Sequence, residues 1–184
     1  MSNPSLVIVL VEDEYHSMLI RRYLIQFGLK QHAIRVKQSP SGRECAENWV
    51  RKEFVNETTE YRRRQARAQS ALIVMIDADN HTVHDRWNQL DQALKENKTP
   101  AVGKTERLAR LVPRRNVETW ILCLNNEQGV VEDRDYTWEK RNWHDLIPPA
   151  SETLYQWIQS KNAPPGHCVR SLRIGVQELK HLRS

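Results

Sequence analysis

The sequence predicts an α/β fold, in which a mainly parallel sheet is flanked by helices and followed by a short C-terminal helical extension. Two continuous apolar runs, residues 6–11 and 71–76, have the length of strands that are covered on both faces. Segments with a helical spacing of apolar residues lie between the predicted strands. Strands that alternate with helices indicate a mainly parallel sheet with helices on both faces.

The first half of the chain opens with the predicted strand at residues 6–11. Residues 17–27 carry apolar side chains at helical spacing, and Gly28 is a natural helix stop. Residues 32–36 have the alternating pattern that predicts a second strand. Residues 44–68 contain neither glycine nor proline, and they predict either one long helix or two shorter helices.

The second half of the predicted core begins with the apolar strand at residues 71–76 and a helix at residues 85–97. A short strand at residues 108–112 and a helix at residues 117–124 follow. The predicted core therefore contains four strands, each followed by a helical segment.

The chain divides into two predicted parts. Residues 1–124 are expected to form the metal-binding α/β core, and residues 125–184 are expected to pack on it. Within the second part, residues 125–149 carry tryptophans in an irregular pattern, while residues 151–160 and 169–182 predict two closing helices.

Composition and charge narrow the classes of function. The formal charge of +5 and the isoelectric point near 9.2 make polyanions such as nucleic acids plausible partners. No apolar run approaches the ~20 residues of a membrane span, and no signal-peptide pattern precedes the first strand, so a cytoplasmic location without membrane contact is expected. Three scattered cysteines argue against a disulfide framework and against a zinc site.

Carboxylates follow two of the predicted strands. Glu12 comes directly after the first strand, and Asp77 and Asp79 come directly after the strand at residues 71–76. Ligands of parallel α/β folds bind at the carboxyl ends of the strands, where these side chains are expected to meet. Crowded carboxylates repel each other unless a cation lies among them, and oxygen ligands suit Mg²⁺. The pattern therefore predicts a site for Mg²⁺ (or Mn²⁺).

A structural alternative assigns the same acids to helix capping. Asp13 is placed to cap the helix that follows it, and Asp79 or Asn80 is placed to cap the next helix. Under this alternative the chain is a non-catalytic interaction subunit. Two acidic turns, each after an apolar strand, favour the metal site over the capping role.

Residues 9–14 and the helix after them resemble the opening strand, acidic turn and first helix of a response-regulator receiver domain. This resemblance implies that Glu12 and Asp13 hold Mg²⁺ and that Asp77 accepts a phosphoryl group. Asp77 follows Glu12 by 65 residues, whereas two short helices and a strand need about 40. The hydrophobic-Met-Pro and Lys-Pro motifs of receivers are also absent, and Lys104 is the only lysine in a comparable region.

A second resemblance is to the Toprim module, the metal-binding domain of topoisomerases, primases and OLD-type nucleases. That module has a glutamate after its first strand and an Asp-x-Asp after a later strand, which Glu12 and Asp77-Ala-Asp79 match. Residues 111–120 resemble the Pro-Arg-x-x-Glu-x-Trp segment of small Toprim-like proteins of bacterial defence. Asp13 departs from the pattern, because the family usually has glycine there.

The Toprim resemblance implies a Mg²⁺-dependent nuclease. Asp77 and Asp79 would bind the metal, and Glu12 would act as a further ligand or as the general base. Glu118, on the helix after the fourth strand, could serve a second metal. These four acids are the expected catalytic residues.

Four arginines are expected to bind the phosphates of the substrate, because the planar guanidinium grips phosphate with two hydrogen bonds. Arg114 and Arg115 precede the helix of Glu118, and Arg62 and Arg63 belong to a basic cluster on the long helix. DNA is favoured over RNA as the partner. An ABC-type ATPase subunit, an oligomeric state and a role in antiviral defence are expectations that come from the resemblance alone.

Overall fold

The computed structural model describes residues 4–40, 45–160 and 164–182, and it has one four-stranded sheet between helices. All neighbouring strands are parallel, and their order across the sheet is β2-β1-β3-β4. The predicted α/β fold class is therefore confirmed. The strands are β1 Leu6–Val11, β2 Ile34–Gln38, β3 Ser70–Met75 and β4 Leu108–Leu111.

Six α-helices surround the sheet in the described part of the chain, and a 3₁₀ turn at Gln31–Ala33 leads into β2. None of the helices in the described residues is long and apolar enough to cross a membrane. The helices are α1 Glu14–Gln26, α2 Ala46–Gln65, α3 Val83–Glu96, α4 Val117–Leu124, α5 Trp143–Gln159 and α6 Arg170–His181.

The sheet separates two apolar layers, because successive strand residues point to opposite faces. Val7 and Val9 of β1 face a layer that contains α1, α4, α5 and α6. Ile8 and Leu10 face a second layer that contains α2 and α3. This explains the continuous apolar runs of β1 and β3, which are covered on both sides. The two helices of the C-terminal extension, α5 and α6, share the first layer with the core helices.

The segment between β2 and β3 forms one long helix, α2, rather than two shorter ones. Its inner face buries Val50, Phe54 and Tyr61, whose spacing keeps them on one side of the helix. Residues 41–44, which include the predicted start of this helix at residue 44, lie outside the described residues. A 20-residue helix here accounts for the long interval between Glu12 and Asp77.

Helix α5 corrects the expectation that the chain is irregular up to residue 149. It begins at Trp143 and contains Pro148 and Pro149 in its second turn. Prolines remove backbone donors and normally interrupt a helix, which is why the sequence indicated a later start. Burial of an apolar stripe against α1 and α4 offsets this loss. The stripe consists of Trp143, Ile147, Ala150, Leu154 and Ile158.

The exposed edge of β4 is closed by side chains from the helices on either face. The Trp87 indole of α3 donates to the Arg110 carbonyl at 3.3 Å, and the Glu178 carboxylate of α6 accepts the Arg110 amide at 3.0 Å. Edge strands with free backbone groups would otherwise invite pairing with another chain. These contacts hold α3 and α6 on the two sides of β4 and leave a groove between them.

Candidate metal centre

Glu12 and Asp77 meet at the carboxyl ends of β1 and β3, as the strand-end rule predicts. Val11 is paired with Met75 in the sheet, so the residues that follow the two strands lie side by side. The Glu12 carboxylate accepts the backbone amide of Asp77 at 2.7 Å. This bond ties together two turns that are distant in the sequence.

His16 is the third member of the cluster, and the sequence analysis did not assign it a role. It lies in the first turn of α1, fully buried, with Nε2 2.9 Å from Asp77 Oδ1. Its Nδ1 is 2.8 Å from Asp13 Oδ1 as an ion pair, at an angle too oblique for a hydrogen bond. Asp13 also caps α1 by accepting the His16 amide at 3.1 Å. The imidazole therefore faces two carboxylates.

The position of His16 on the inner face of α1 was a signal that sequence analysis could have used. Leu19, Ile20 and Tyr23 follow it at spacings of three, four and seven residues and are buried with it. A histidine at the start of such a stripe, just after an acidic turn, is expected near those acids.

The ligand atoms of Glu12, His16 and Asp77 lie within 4.8 Å of one another, so the three residues could hold a metal ion. Among the described residues, the second oxygen of each of the two carboxylates receives no hydrogen bond. Carboxylate oxygens suit Mg²⁺ and Mn²⁺, whereas an imidazole nitrogen suits the transition metals better than Mg²⁺. The expectation of a metal-capable cluster is thus confirmed, and the identity of the ion stays a prediction.

Glu118 faces the same cluster from the first turn of α4, where it is only 5% exposed. Burial raises the pKa of Glu118 to about 7, and the nearby charges of Asp77 and Asp13 add to the increase. Glu118 is therefore close enough to Asp77 to be part of one electrostatic unit. Glu118 is not among the residues whose ligand atoms lie within 4.8 Å of one another, and its role toward a second metal stays a prediction.

Three carboxyl groups at or beside the cluster have raised pKa values, and burial is the main cause in each. Burial raises the pKa of Glu12 to about 7, and the Asp77 charge raises it further against the opposing effect of His16. Burial likewise raises the pKa of Asp77, although the His16 charge acts to lower it. Burial therefore favours the protonated forms of Glu12, Asp77 and Glu118 when no metal ion is bound.

In contrast to these acids, His16 and Asp13 each stabilise the charged form of the other. Burial alone would lower the pKa of His16, but the charges of Asp77 and Asp13 raise it well above its usual value. Burial would raise the pKa of Asp13, but the charge of the His16 ring and the hydrogen bond from the His16 amide help to bring it to about 2. Without a metal ion the pair is therefore an imidazolium and a carboxylate at neutral pH, and His16 could bind a metal ion only after losing a proton.

Asp79 lies at the rim of the cluster rather than inside it. Its side chain is 54% exposed, and Oδ2 is 3.7 Å from an Arg86 guanidinium nitrogen. Its backbone has φ of 54°, in the left-handed region that aspartate tolerates better than most residues. The capping alternative is wrong at this turn, because Thr82 and Asp85 form the N-terminal capping box of α3.

Arg86 holds the turn that carries Asp77 and Asp79, and the sequence analysis missed it. It is fully buried and donates to the Asp77 carbonyl at 2.9 Å and to the Ala78 carbonyl at 3.4 Å. The Glu47 carboxylate of α2 neutralises its charge. An arginine on the apolar face of α3, in line with Leu90, was the available signal.

Arg114 and Arg115 lie beside the Asp77–Asp79 turn, and each is already paired with a carboxylate. Arg114 donates to the His81 carbonyl at 2.6 Å and pairs with Asp133 at 2.8 Å. Arg115 donates to the Asn80 amide oxygen at 2.7 Å, and it pairs with Asp135 at 3.4 Å. They are near the acids, as expected, but they also brace two loops.

Arg62 and Arg63 are placed away from the acids. Helix α2 runs back across the sheet, so its last turn lies at the amino ends of the strands. Arg62 grips Glu106 with bonds of 2.6 and 2.9 Å, and Arg63 pairs with Glu60 at 2.8 Å. The structure therefore does not bring these two arginines to the cluster.

Lys104, the lysine considered for a receiver-like role, also lies at the amino end of the sheet, in a depression shared with Gly103 and Leu108. A receiver needs its lysine beside the acceptor carboxylate. The position of Lys104 does not meet this requirement.

Comparison of the chain with protein-family models, curated proteins and solved structures finds no match. The Toprim resemblance therefore rests on the motifs of Glu12, Asp77, Asp79 and residues 111–120.

Proposed function

We propose that this chain is a metal-dependent phosphodiesterase that cleaves nucleic acid, with Mg²⁺ or Mn²⁺ held between Glu12 and Asp77. One observation carries the proposal: the carboxylates of Glu12 and Asp77, which follow two neighbouring strands, meet His16 in a cluster whose ligand atoms lie within 4.8 Å of one another. The His16 imidazolium compensates Asp77 and Asp13, but among the described residues Glu12 has no cationic partner in an ion pair, and burial raises its pKa to about 7. A structural role alone explains this uncompensated carboxylate poorly. The positive charge of the chain favours a polyanionic substrate.

The side chains around the metal site would have separate roles in binding the metal and in moving a proton. His16 orients the Asp77 carboxylate, and the Asp77 amide orients Glu12, so both ligands are held before binding. When bound, the cation supplies polarisation of a phosphate oxygen and acidification of a water molecule. Glu118, whose pKa is near 7, is suited to take the proton of the attacking water.

We also propose a role for Asp79, a preferred substrate, a partner and a biological role. Asp79 would reach the metal from the rim after leaving Arg86. DNA as the preferred substrate, an ABC-type ATPase as the partner and a defence role are supported by the Toprim resemblance only.

The proposal is tested by incubating the purified protein with plasmid and single-stranded DNA in Mg²⁺, Mn²⁺ or EDTA. We expect metal-dependent cleavage that falls by more than about 100-fold in Asp77→Asn, because a ligand and the partner of His16 are lost together. Glu14→Gln is the matched control, since Glu14 is exposed and directed toward His144. Cleavage that persists in EDTA or in Asp77→Asn would contradict the proposal.

A further inference from the structure

A groove of about 400 Å³ lies between α3 and α6, next to the turn that carries Asp79. Its apolar side chains are Val83, Trp87 and Ile174. The Trp87 indole is fixed by its bond to the Arg110 carbonyl and by the Arg110 guanidinium, 4.9 Å from the ring centroid. The groove thus offers a rigid aromatic surface in a concave site, as small-ligand sites commonly do.

Two arginines border this groove. Arg114 joins it to the metal centre, because the same guanidinium donates to the backbone carbonyls of Asp79 and His81. Arg170 is exposed at the start of α6 and has no ion pair or hydrogen bond among the described residues. A free guanidinium beside a groove is well placed to take a phosphate.

A carboxylate already occupies an anion position inside the groove. Glu132 Oε1 accepts the backbone amide of Ser171 at 2.5 Å, in the first turn of α6. This helix has no side-chain cap of its own, and the first turn of a helix favours anions. The Glu132 carboxylate therefore fills this position at the start of α6, and a phosphate in the groove would have to bind a side chain such as Arg170 instead.

We propose that this groove binds one nucleotide of a single-stranded nucleic acid, with the base against Trp87 and a phosphate against Arg170, on the side of the groove that Arg114 joins to the metal centre. A base held in a duplex cannot enter a concave groove of this size, whereas an unpaired base can. Stacking on an aromatic ring beside cations is the usual mode of single-strand binding. This inference rests on the proposed function, because the nucleic-acid strand bound in the groove would be the substrate that continues to the metal centre.

The test measures binding without catalysis. A fluorescein-labelled oligothymidylate is titrated with protein in EDTA, and anisotropy gives the dissociation constant for wild type and variants. We expect Arg170→Ala and Trp87→Leu each to weaken binding by about tenfold, through loss of a phosphate contact and of stacking. Arg170→Lys is expected to recover part of the loss. Equal melting temperatures for wild type and Arg170→Ala exclude unfolding as the cause.

Arg22→Ala is the matched control, because Arg22 is an exposed arginine on α1, which packs over β1 and β2, away from the β4 edge that borders the groove. We expect it to change binding by less than about twofold. An equal effect of Arg22→Ala and Arg170→Ala, no oligonucleotide binding by wild type, or equal binding of duplex would each overturn the inference.

The two proposals fail separately. Groove-dependent binding without any metal-dependent cleavage would keep the groove and remove the phosphodiesterase. Cleavage that Asp77→Asn abolishes, with binding insensitive to Arg170 and Trp87, would keep the phosphodiesterase and remove the groove.

Discussion

His16 is the residue on which the acid cluster depends, because its buried ring lies against Asp77 and Asp13 at once. Removing one partner of a buried ion pair leaves the other charge without compensation, which costs more than the pair itself contributes. The contribution of His16 is therefore best measured together with that of Asp77.

We predict that His16→Gln lowers the free energy of unfolding by about 3 kcal/mol in EDTA, because it leaves the Asp77 carboxylate buried without a cation. Adding Asp77→Asn should recover part of this loss, and urea denaturation of the two single variants and the double variant measures it. His144→Gln, which changes an exposed histidine, should cost less than about 0.5 kcal/mol. Strictly additive losses at positions 16 and 77 would contradict the prediction.

The acids of the cluster could be predicted from the sequence, whereas the side chains that contact and orient them were not among the predicted site residues. Glu12 and Asp77 could be predicted because they follow apolar strands of a parallel sheet. His16 and Arg86 could not be assigned in the same way, because a polar residue on a helix face acquires its role only from the strand turn it faces. The distance of Arg62 from the acids could not be predicted, because the direction of α2 relative to the sheet decides which end of the strands its last turn reaches.

Helices and strands differ in how well their bounds could be predicted. β1 and β3 were clear because burial on both faces gives continuous apolar runs. Helix α5 was predicted eight residues short, because its two prolines hide an apolar stripe that only tertiary contacts sustain. The prediction of a strand at β4 was correct. The contacts of Trp87 and Glu178 with its edge could not be predicted, because they depend on the packing of α3 and α6.

The contact between α4 and α6 gives a prediction at the scale of the element. A methyl group at Gly175 in α6 would overlap the Trp120 indole of α4, which is fully buried and donates to Ser171. Gly175→Ala should therefore destabilise the fold by about 1–3 kcal/mol through overpacking, although alanine is the better helix former. Thermal or urea unfolding measures the change.

Gly166→Ala is the control for this variant, because no atom lies within 4 Å of its added methyl group. It should change stability by less than about 0.5 kcal/mol. A neutral or stabilising Gly175→Ala would show that α4 and α6 are not packed as described.

For the whole molecule, the parallel sheet is what turns scattered acids into one centre. The neighbouring carboxyl ends of β1 and β3 bring Glu12 and Asp77 together from positions 65 residues apart in the sequence, and Glu118 is buried in the first turn of the helix that follows β4. The cationic side chains are divided between the two ends of the strands. Arg114 and Arg115 lie near the acids, whereas Arg62 and Lys104 lie at the amino ends of the strands. The receiver hypothesis loses its lysine for this reason.

The raised pKa values of Glu12 and Glu118 predict how metal binding depends on pH. Glu12 and Glu118 have pKa values of about 7, so both are largely protonated at pH 6 and largely ionised at pH 8. A cation competes with these protons, and its affinity must rise with pH over this range. For each carboxylate that has to ionise, the difference between pH 6 and pH 8 is about tenfold.

The most direct test of the central claim is a calorimetric titration of Mn²⁺ into wild type and Glu12→Gln at pH 6 and pH 8. The account predicts binding by wild type at pH 8 that is at least about tenfold weaker at pH 6, and a loss of more than about tenfold at pH 8 in Glu12→Gln. Wild type that binds no Mn²⁺ at pH 8, or Glu12→Gln that binds it as tightly as wild type, would contradict the claim that these carboxylates form a metal centre.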